Sequence, residues 1–354
     1  MTGSAGTQVS DSVESDVELV VGIDVGKAEL VLAIWDRAQQ CGRALEPLAN
    51  TEAGCGQLAQ ILAEEARRQG ASAIHLTAEP TGGYESVLVA FAYAQGWRVS
   101  LVNALTVRDW AKGLGRRAKT DKLDALMLAH YTVDRQPRLW QPPSEAMSEL
   151  DSLLTRRREL QQMLQAERNR QQQFSVRPEV AASVTRNVQT VVAALQSALE
   201  EIEQALADWR EHYPPLDERA DQLDSLPGVG AKTVLPLLAL LLRWDVLTGG
   251  KGSDKALTAF VGLDPTVHTS GSSVRKRSLI SRRGDPHVRA SLFMSALGAI
   301  RGRNALHDYY DALVARGKPK LVALVACMRK LLIWAWHVFQ TQKPYDPSKH
   351  LKPA

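Results

Sequence analysis

Cysteine is scarce and never paired. Cys41, Cys55 and Cys327 are scattered along the chain without metal-ligand or disulfide spacing, which argues against a zinc ribbon or a disulfide framework and suits a reducing cytoplasm. An apolar leader is missing too. Met1 to Glu18 is polar and acidic with no h-region, so it reads as a loose tail rather than a secretory signal. The longest late apolar stretch, Leu321 to Phe339, carries Arg329 and Lys330 at its centre; charges there are costly in a bilayer, so a core helix is expected and no membrane. Acidic residues almost vanish between Arg275 and Arg303. That clustering, more than the net charge of +4, suggests a polyanion partner.

What is present bounds the rest. A chain of 354 residues exceeds the usual single-domain size, so two domains joined by something extended are expected. With 45% hydrophobic and 23% charged residues, each can bury a core.

Leu19 to Val25 and Leu30 to Trp35 are β-rich runs separated by Gly26 and Lys27, the pattern of a hairpin. A weak third strand falls near Leu45. Gly56 to Arg68 has helical periodicity, Ala73 to Thr77 is a short apolar run ending in Ala78-Glu79-Pro80, and Tyr84 to Ala94 returns to helix. Trp97 to Val102 reads as strand and Thr120 to Val133 as helix, with Thr120 as N-cap. The order β-β-β-α-β-α-β-α predicts a mixed sheet flanked by helices.

Pro137, Pro142 and Pro143 mark a boundary. Ser144 to Gln173 then runs without glycine as a long helix, interrupted at Phe174 to Pro178. Val188, Val192, Leu195, Leu199, Ile202, Leu206 and Trp209 alternate spacings of four and three, a heptad seam. An antiparallel hairpin or coiled-coil arm used for assembly is expected. The boundaries become a tail over 1–18, an α/β domain over 19–140, a helical arm over 144–213, and a mainly α-helical domain over 216–345.

Four carboxylates stand out. Asp24 lies near the end of the first strand, Glu79 follows a central strand, and Asp121 and Asp124 sit one turn apart on one helix. Such oxygen ligands suit Mg²⁺ or Mn²⁺. Two such ions can stabilise the attacking and leaving oxygens of phosphodiester cleavage. An Asp after a strand is commonly a turn residue, and paired Asp on a helix commonly a solvated face. Asp24, however, interrupts the run Val20-Val21-Gly22-Ile23-Asp24-Val25-Gly26, where a charge is costly unless paired or coordinated.

In the second half, His268-Thr269-Ser270-Gly271-Ser272-Ser273 leads into Arg275, Lys276, Arg277, Arg282 and Arg283, with Arg289 beyond. Hydroxyls beside guanidinium groups suit phosphate. Spacing alone favours a surface loop gripping the nucleic-acid backbone over a catalytic one. Leu226-Pro227-Gly228-Val229-Gly230-Ala231-Lys232-Thr233 is similar to the hairpin of helix-hairpin-helix proteins, with a helix expected from near Lys232 and a backbone contact through amides and that lysine. A plain αα turn is the alternative.

The segments VGIDVGK at 21–27, AEPTGGYE at 78–85 and GRRAKTDKLDALMLA at 115–129 resemble insertion-sequence transposases with an N-terminal RuvC-like DEDD domain, the group described as bridge-RNA-guided recombinases. The likeness continues through PGVGAKT at 227–233, FVGLDP at 260–265 and the serine and arginine stretch at 269–301. It implies a ribonuclease-H-like fold and a metal-binding tetrad of Asp24, Glu79, Asp121 and Asp124. It also implies Ser270 as nucleophile, matching the family's Ser-Gly pair, with Ser272 and Ser273 as alternatives. Phosphate contacts are expected from Lys119, Lys232, Arg275, Lys276, Arg277, Arg282, Arg283 and Arg289. Donor and target double-stranded DNA, a structured guide RNA, and dimers pairing into a tetramer are the implied partners. One rival is a RuvC-like junction nuclease that hydrolyses DNA with water and ignores Ser270. A second, an actin-like kinase suggested by Gly22-Ile23-Asp24-Val25-Gly26-Lys27, lacks a suitably placed second glycine-rich phosphate loop.

Overall fold

The computed structural model describes residues 17–115, 120–177, 179–266, 269–270, 274–275 and 279–349. The expected tail up to residue 16, Lys119, the Gly271-Ser272-Ser273 segment, Lys276 and Arg277 lie outside them. The chain divides into two compact units, Met1–Pro142 and Pro143–Ala354.

The first unit is built on a mixed sheet. Its strands are β1 (Glu18–Val25), β2 (Glu29–Asp36), β3 (Cys41–Ala44), β4 (Leu48–Ala49), β5 (Ala73–Ala78) and β6 (Arg98–Leu101), in the order β3-β2-β1-β5-β6 with β4 on β2. β1 runs antiparallel to β2 and parallel to β5, which is parallel to β6. The expected hairpin forms, and its Gly26 amide closes on the Glu29 carbonyl at 2.8 Å. Helices α1 (Glu52–Gln69), α2 (Ser86–Ala94), α3 (Ala104–Gly113) and α4 (Asp121–Arg135) surround the sheet.

Alternation along β1 assigns its two faces. Leu19, Val21, Ile23 and Val25 enter a core shared with Leu58 and Leu62 of α1 and Leu88 and Ala92 of α2. Val20 and Gly22 face the other way, where Ala129 and Ala125 of α4 meet them. Both faces are therefore covered, which explains a strand of nearly continuous apolar residues. This mixed topology is that of a ribonuclease-H-like domain.

Two elements of this unit differ from the sequence expectation. The third strand ends at Ala44, and Leu48–Ala49 forms a separate short pairing with β2. Helix α3 was not read from the sequence at all; only Val107 and Ala111 are buried along it, too few positions to establish a period.

The second unit is mostly helical. The long helices α5 (Glu145–Ser175) and α6 (Ala182–His212) are followed by α7 (Pro214–Asp224), α8 (Val234–Thr248) and α9 (Asp254–Val261). Two-residue strands β7 (Pro265–Thr266), β8 (Thr269–Ser270), β9 (Val274–Arg275) and β10 (Leu279–Ile280) precede α10 (Pro286–Ala299), α11 (Ala305–Ala315) and α12 (Lys320–Thr341). The heptad seam packs within the chain: Val188 and Val192 meet Leu164, while the Trp209 indole donates to the Ala146 carbonyl at 3.0 Å. These pairings make α5 and α6 an antiparallel hairpin, so the seam is already covered by α5. Helix α12, long and apolar enough to cross a membrane, instead supplies Leu331, Leu332, Ala335 and Trp336 to this unit's core. Lys330 lies over the Tyr309 ring at 4.1 Å, a cation–π contact that accommodates its charge.

Candidate functional site

The first two carboxylates are placed by β1 and β5. Ile23 pairs with Ala78 in parallel register, so the next residues, Asp24 and Glu79, leave neighbouring strands side by side. Their common face follows from parity. Gly22 faces α4, and Asp24 is two residues further on. Thr77, the partner of Gly22 in β5, also faces α4, because the Thr132 hydroxyl donates to its Oγ1 at 2.7 Å. Glu79 is two residues beyond Thr77.

Helix α4 brings the second pair. Its start is fixed by Thr120, whose hydroxyl accepts the Leu123 amide at 3.3 Å, as the sequence indicated. Ala125, Leu128, Ala129 and Thr132 form its buried stripe, and Asp121 and Asp124 extend that stripe by one turn. The helix runs antiparallel to β1, since Ala125 meets Gly22 while Ala129 meets Val20. Two strand residues advance about 6.6 Å, and four helical residues about 6 Å. Asp121 therefore lies off the sheet end at the level of Asp24. Asp24, Glu79 and Asp124 are half-buried and Asp121 is exposed.

The four are thus carried by three adjoining backbones, with Asp24 between Glu79 and the α4 pair. Among the described residues no three His, Cys, Asp or Glu side chains are gathered closely enough to hold a metal ion, and Asp24, Glu79 and Asp124 each have other interactions. Carboxylate oxygens are the donors that a hard divalent cation such as Mg²⁺ or Mn²⁺ takes, and the three backbones bring them to one end of the sheet without closing them around an ion.

The loop after Glu79 is unusually constrained. The Glu85 Oε2 accepts the Thr81 amide at 3.0 Å, the Thr81 hydroxyl at 3.1 Å and the Gly83 amide at 2.9 Å. Burial pushes the Glu85 carboxyl up, but these bonds and one from its own amide outweigh it and hold the group below the usual range. Gly82 and Gly83 take φ of 75° and 109°, which side-chain-bearing residues rarely adopt. Sequence reasoning missed Glu85, although it closes the AEPTGGYE segment.

In the second unit, Ser270 stands at the end of β8 and pairs with Val274 of β9, with Thr269 opposite Arg275. The base of this excursion is locked. A Cβ on Gly262 would stand 2.7 Å from the Arg283 amide nitrogen, and one on Gly284 2.2 Å from the Phe260 carbonyl oxygen. Arg289 is half-buried and donates from Nη1 to the Val261 and Gly284 carbonyls at 3.1 and 2.5 Å, so one of its nitrogens holds the loop base. Arg282 and Arg283 are exposed.

At the hairpin-like turn, α8 begins at Val234, two residues beyond the expected start near Lys232. The Thr233 hydroxyl accepts the Gly230 amide and donates to the Gly230 carbonyl, each at 3.1 Å, closing a turn before the helix. Buried Arg157 of α5 donates to the Lys232 carbonyl at 3.3 Å. Gly228 has φ of 78°, and a Cβ there would meet the Ser295 carbonyl at 2.0 Å; its glycine serves packing on α10. The Lys232 residue itself is exposed.

Comparison with known proteins gives two family matches, the DEDD transposase domain of IS110 over residues 21–174 and the transposase IS116/IS110/IS902 family over residues 220–311. The "pilin gene-inverting protein" of Moraxella lacunata is 34% identical over 291 residues, covering 81% of this chain and 86% of that one. Its counterpart in Moraxella bovis is 33% identical over the same length. Among solved structures, T. thermophilus RuvC in complex with Holliday junction substrate matches at 16% identity and a TM-score of 0.26, over 35% of this chain and 99% of that chain.

Proposed function

The chain belongs to the IS110 family of transposases, DNA-processing enzymes, and from that premise we propose that it cleaves and exchanges DNA strands through a covalent bond to Ser270, assisted by Asp24, Glu79, Asp121 and Asp124. The observation that carries this reading is the alignment of Asp24 with Glu79 on the face over which α4 presents Asp121 and Asp124. Mg²⁺ or Mn²⁺ held by these four carboxylates would supply charge stabilisation at the attacking and leaving oxygens.

The remaining chemistry belongs to the chain. A serine hydroxyl is a weak nucleophile until its proton is removed easily, and Ser270 has the acidic centre of a first unit as its candidate activator. The Ser270 Oγ attacks phosphorus, its bond to hydrogen breaks, and the 3′ oxygen leaves carrying a proton. A 5′-phosphoserine diester replaces the DNA diester. Bond energy is retained, so a 3′ hydroxyl can displace the serine and rejoin the strand without another energy source. Neither unit cleaves alone on this reading, whether the two halves of a site come from one protomer or two.

Lys119, Lys232, Arg275, Lys276, Arg277, Arg282, Arg283 and Arg289 supply phosphate contacts, with the exposure of Lys232, Arg282 and Arg283 in support. A structured RNA selects donor and target DNA, and dimers pair into a tetramer around them. Because α5 covers the α6 seam, assembly uses other surfaces.

The test is to purify the protein with its nucleic acid, sequence what copurifies, and assay strand exchange on the junction of the element. Wild type is expected to carry one structured RNA and to exchange strands; Ser270→Ala is expected to do neither cleavage nor exchange. Free cleaved ends from Ser270→Ala would replace the serine route with hydrolysis by water.

A further inference from the structure

The pairing of β1 with β5 ends at Ile23 and Ala78, one residue short of Asp24 and Glu79, so no ladder bond between these two strands fixes the spacing of the two carboxylates. One side chain ties the segments that follow them together. The Asn50 Nδ2 donates to the Gly26 carbonyl, two residues after Asp24, and to the Tyr84 carbonyl in the loop after Glu79, both at 2.9 Å. Asn50 is itself anchored, its amide donating to the Ala28 carbonyl at 3.0 Å. Glu85, the neighbour of Tyr84, then closes the Glu79 loop through its three bonds to Thr81 and Gly83.

We infer that Asn50 and Glu85 are positioning residues that fix the separation of Asp24 and Glu79 by joining the β1–β2 turn to the Glu79 loop. The chain of connections runs Gly26 carbonyl, Asn50 amide group, Tyr84 carbonyl, Glu85 carboxylate, Thr81 and Gly83 amides. Apart from the covalent step from Tyr84 to Glu85, each link is a directional hydrogen bond, and the Glu85 links are charge-assisted. Stability alone does not account for the arrangement. The Asn50 Oδ1 is buried without a hydrogen-bond partner among the described residues, a cost that an apolar side chain would avoid. Gly82 and Gly83, with their positive φ, let the loop turn tightly enough for its amides to reach one carboxylate oxygen. Loss of a group bonded directly to a metal ligand typically weakens metal binding about 10- to 100-fold; Asn50 and Glu85 act one step further out, through the backbone beside each carboxylate.

The inference rests on the acidic-centre reading, and one experiment separates the two. Mn²⁺ binding to the full-length protein is followed by loss of the free-ion electron paramagnetic resonance signal, alongside the melting temperature. Wild type is compared with Asn50→Ala, Glu85→Ala, Glu85→Gln and Asp24→Asn. Asn50→Ala and Glu85→Ala are expected to weaken binding about 10-fold, the lower end of that range, while remaining folded. Glu85→Gln, whose amide oxygen can still accept from Thr81 and Gly83, should lie nearer wild type than Glu85→Ala. Should Glu85→Ala fail to fold, Asn50→Ala decides. Wild-type affinity in Asn50→Ala, with binding lost in Asp24→Asn, overturns the positioning role and leaves the acidic centre standing. Wild-type affinity in Asp24→Asn overturns both.

Discussion

Gly22 of β1 lies so close to Ala125 of α4 that a Cβ on the glycine would stand 2.2 Å from the Ala125 carbonyl oxygen. The same atom would lie 2.4 Å from the Ala129 amide nitrogen. The helix is seated on bare backbone at this point, and that seating sets where its first turn delivers Asp121 and Asp124. Gly22→Ala must push α4 outward, since both opposing atoms are backbone. Overpacking of this kind costs about 1–3 kcal/mol. A lowered melting temperature and weaker Mn²⁺ binding are expected together in Gly22→Ala; an unchanged melting temperature would mean that α4 does not sit here.

The acidic residues should separate activity from stability. Asp24→Asn, Glu79→Gln and Asp124→Asn each remove a charge from a half-buried position while keeping the side-chain shape. Strand cleavage should fall at least about 100-fold, with folding retained in circular dichroism. Near wild-type cleavage by Asp24→Asn would remove the central carboxylate from the chemistry.

Thiol reactivity checks the packing of both units. Cys41 is exposed, whereas Cys55 and Cys327 are buried. Burial pushes the Cys327 thiol up to about 11 against an opposing pull from Lys330, and burial with the nearby Glu52 raises Cys55. A thiol reagent near neutral pH should label Cys41 quickly and the other two only on unfolding. Fast labelling of Cys327 in the native protein would contradict the buried placement of α12.

His75 predicts a dependence of stability on pH. It is buried, with Nε2 2.9 Å from the Ser100 hydroxyl. Burial lowers its pKa from the ordinary 6.5, Glu18 opposes that shift, and Arg98 adds to it. A depressed folded pKa means the unfolded chain takes up the proton first, so this stability is complete above about pH 6.5 and is lost as pH falls through the folded value. The melting temperature should drop on acidification below that point, and His75→Gln should flatten the slope. An equal slope in both proteins would exclude His75 as its source.

The parts of the site that were legible in the sequence are those written as local patterns. Asp24 announced itself as a charge inside an apolar strand, and Thr120 marked the start of α4 by its capping chemistry. Those two signals locate three of the four carboxylates. Asn50 left no such signal, because the Gly26 and Tyr84 carbonyls that it bonds are distant in sequence and only the fold brings them near; the Glu85 bonds are local, but they depend on the positive φ of Gly82 and Gly83, which the segment's residue pattern does not show. The heptad seam was equally plain as a pattern, yet a period names a buried stripe and not its partner; α5 of the same chain covers it. The late start of α8 reflects the Thr233 and Gly230 bonds, which compete locally with helix.

Capture of the protein–DNA adduct tests the serine route most directly. Full-length protein with its copurified nucleic acid is incubated with end-labelled element DNA and Mg²⁺, denatured, digested and sequenced by mass spectrometry. A 5′-phosphoserine link at Ser270 is expected, absent from Ser270→Ala and from Asp24→Asn. A link on another residue, or cleavage without any adduct in the wild type, would contradict that route.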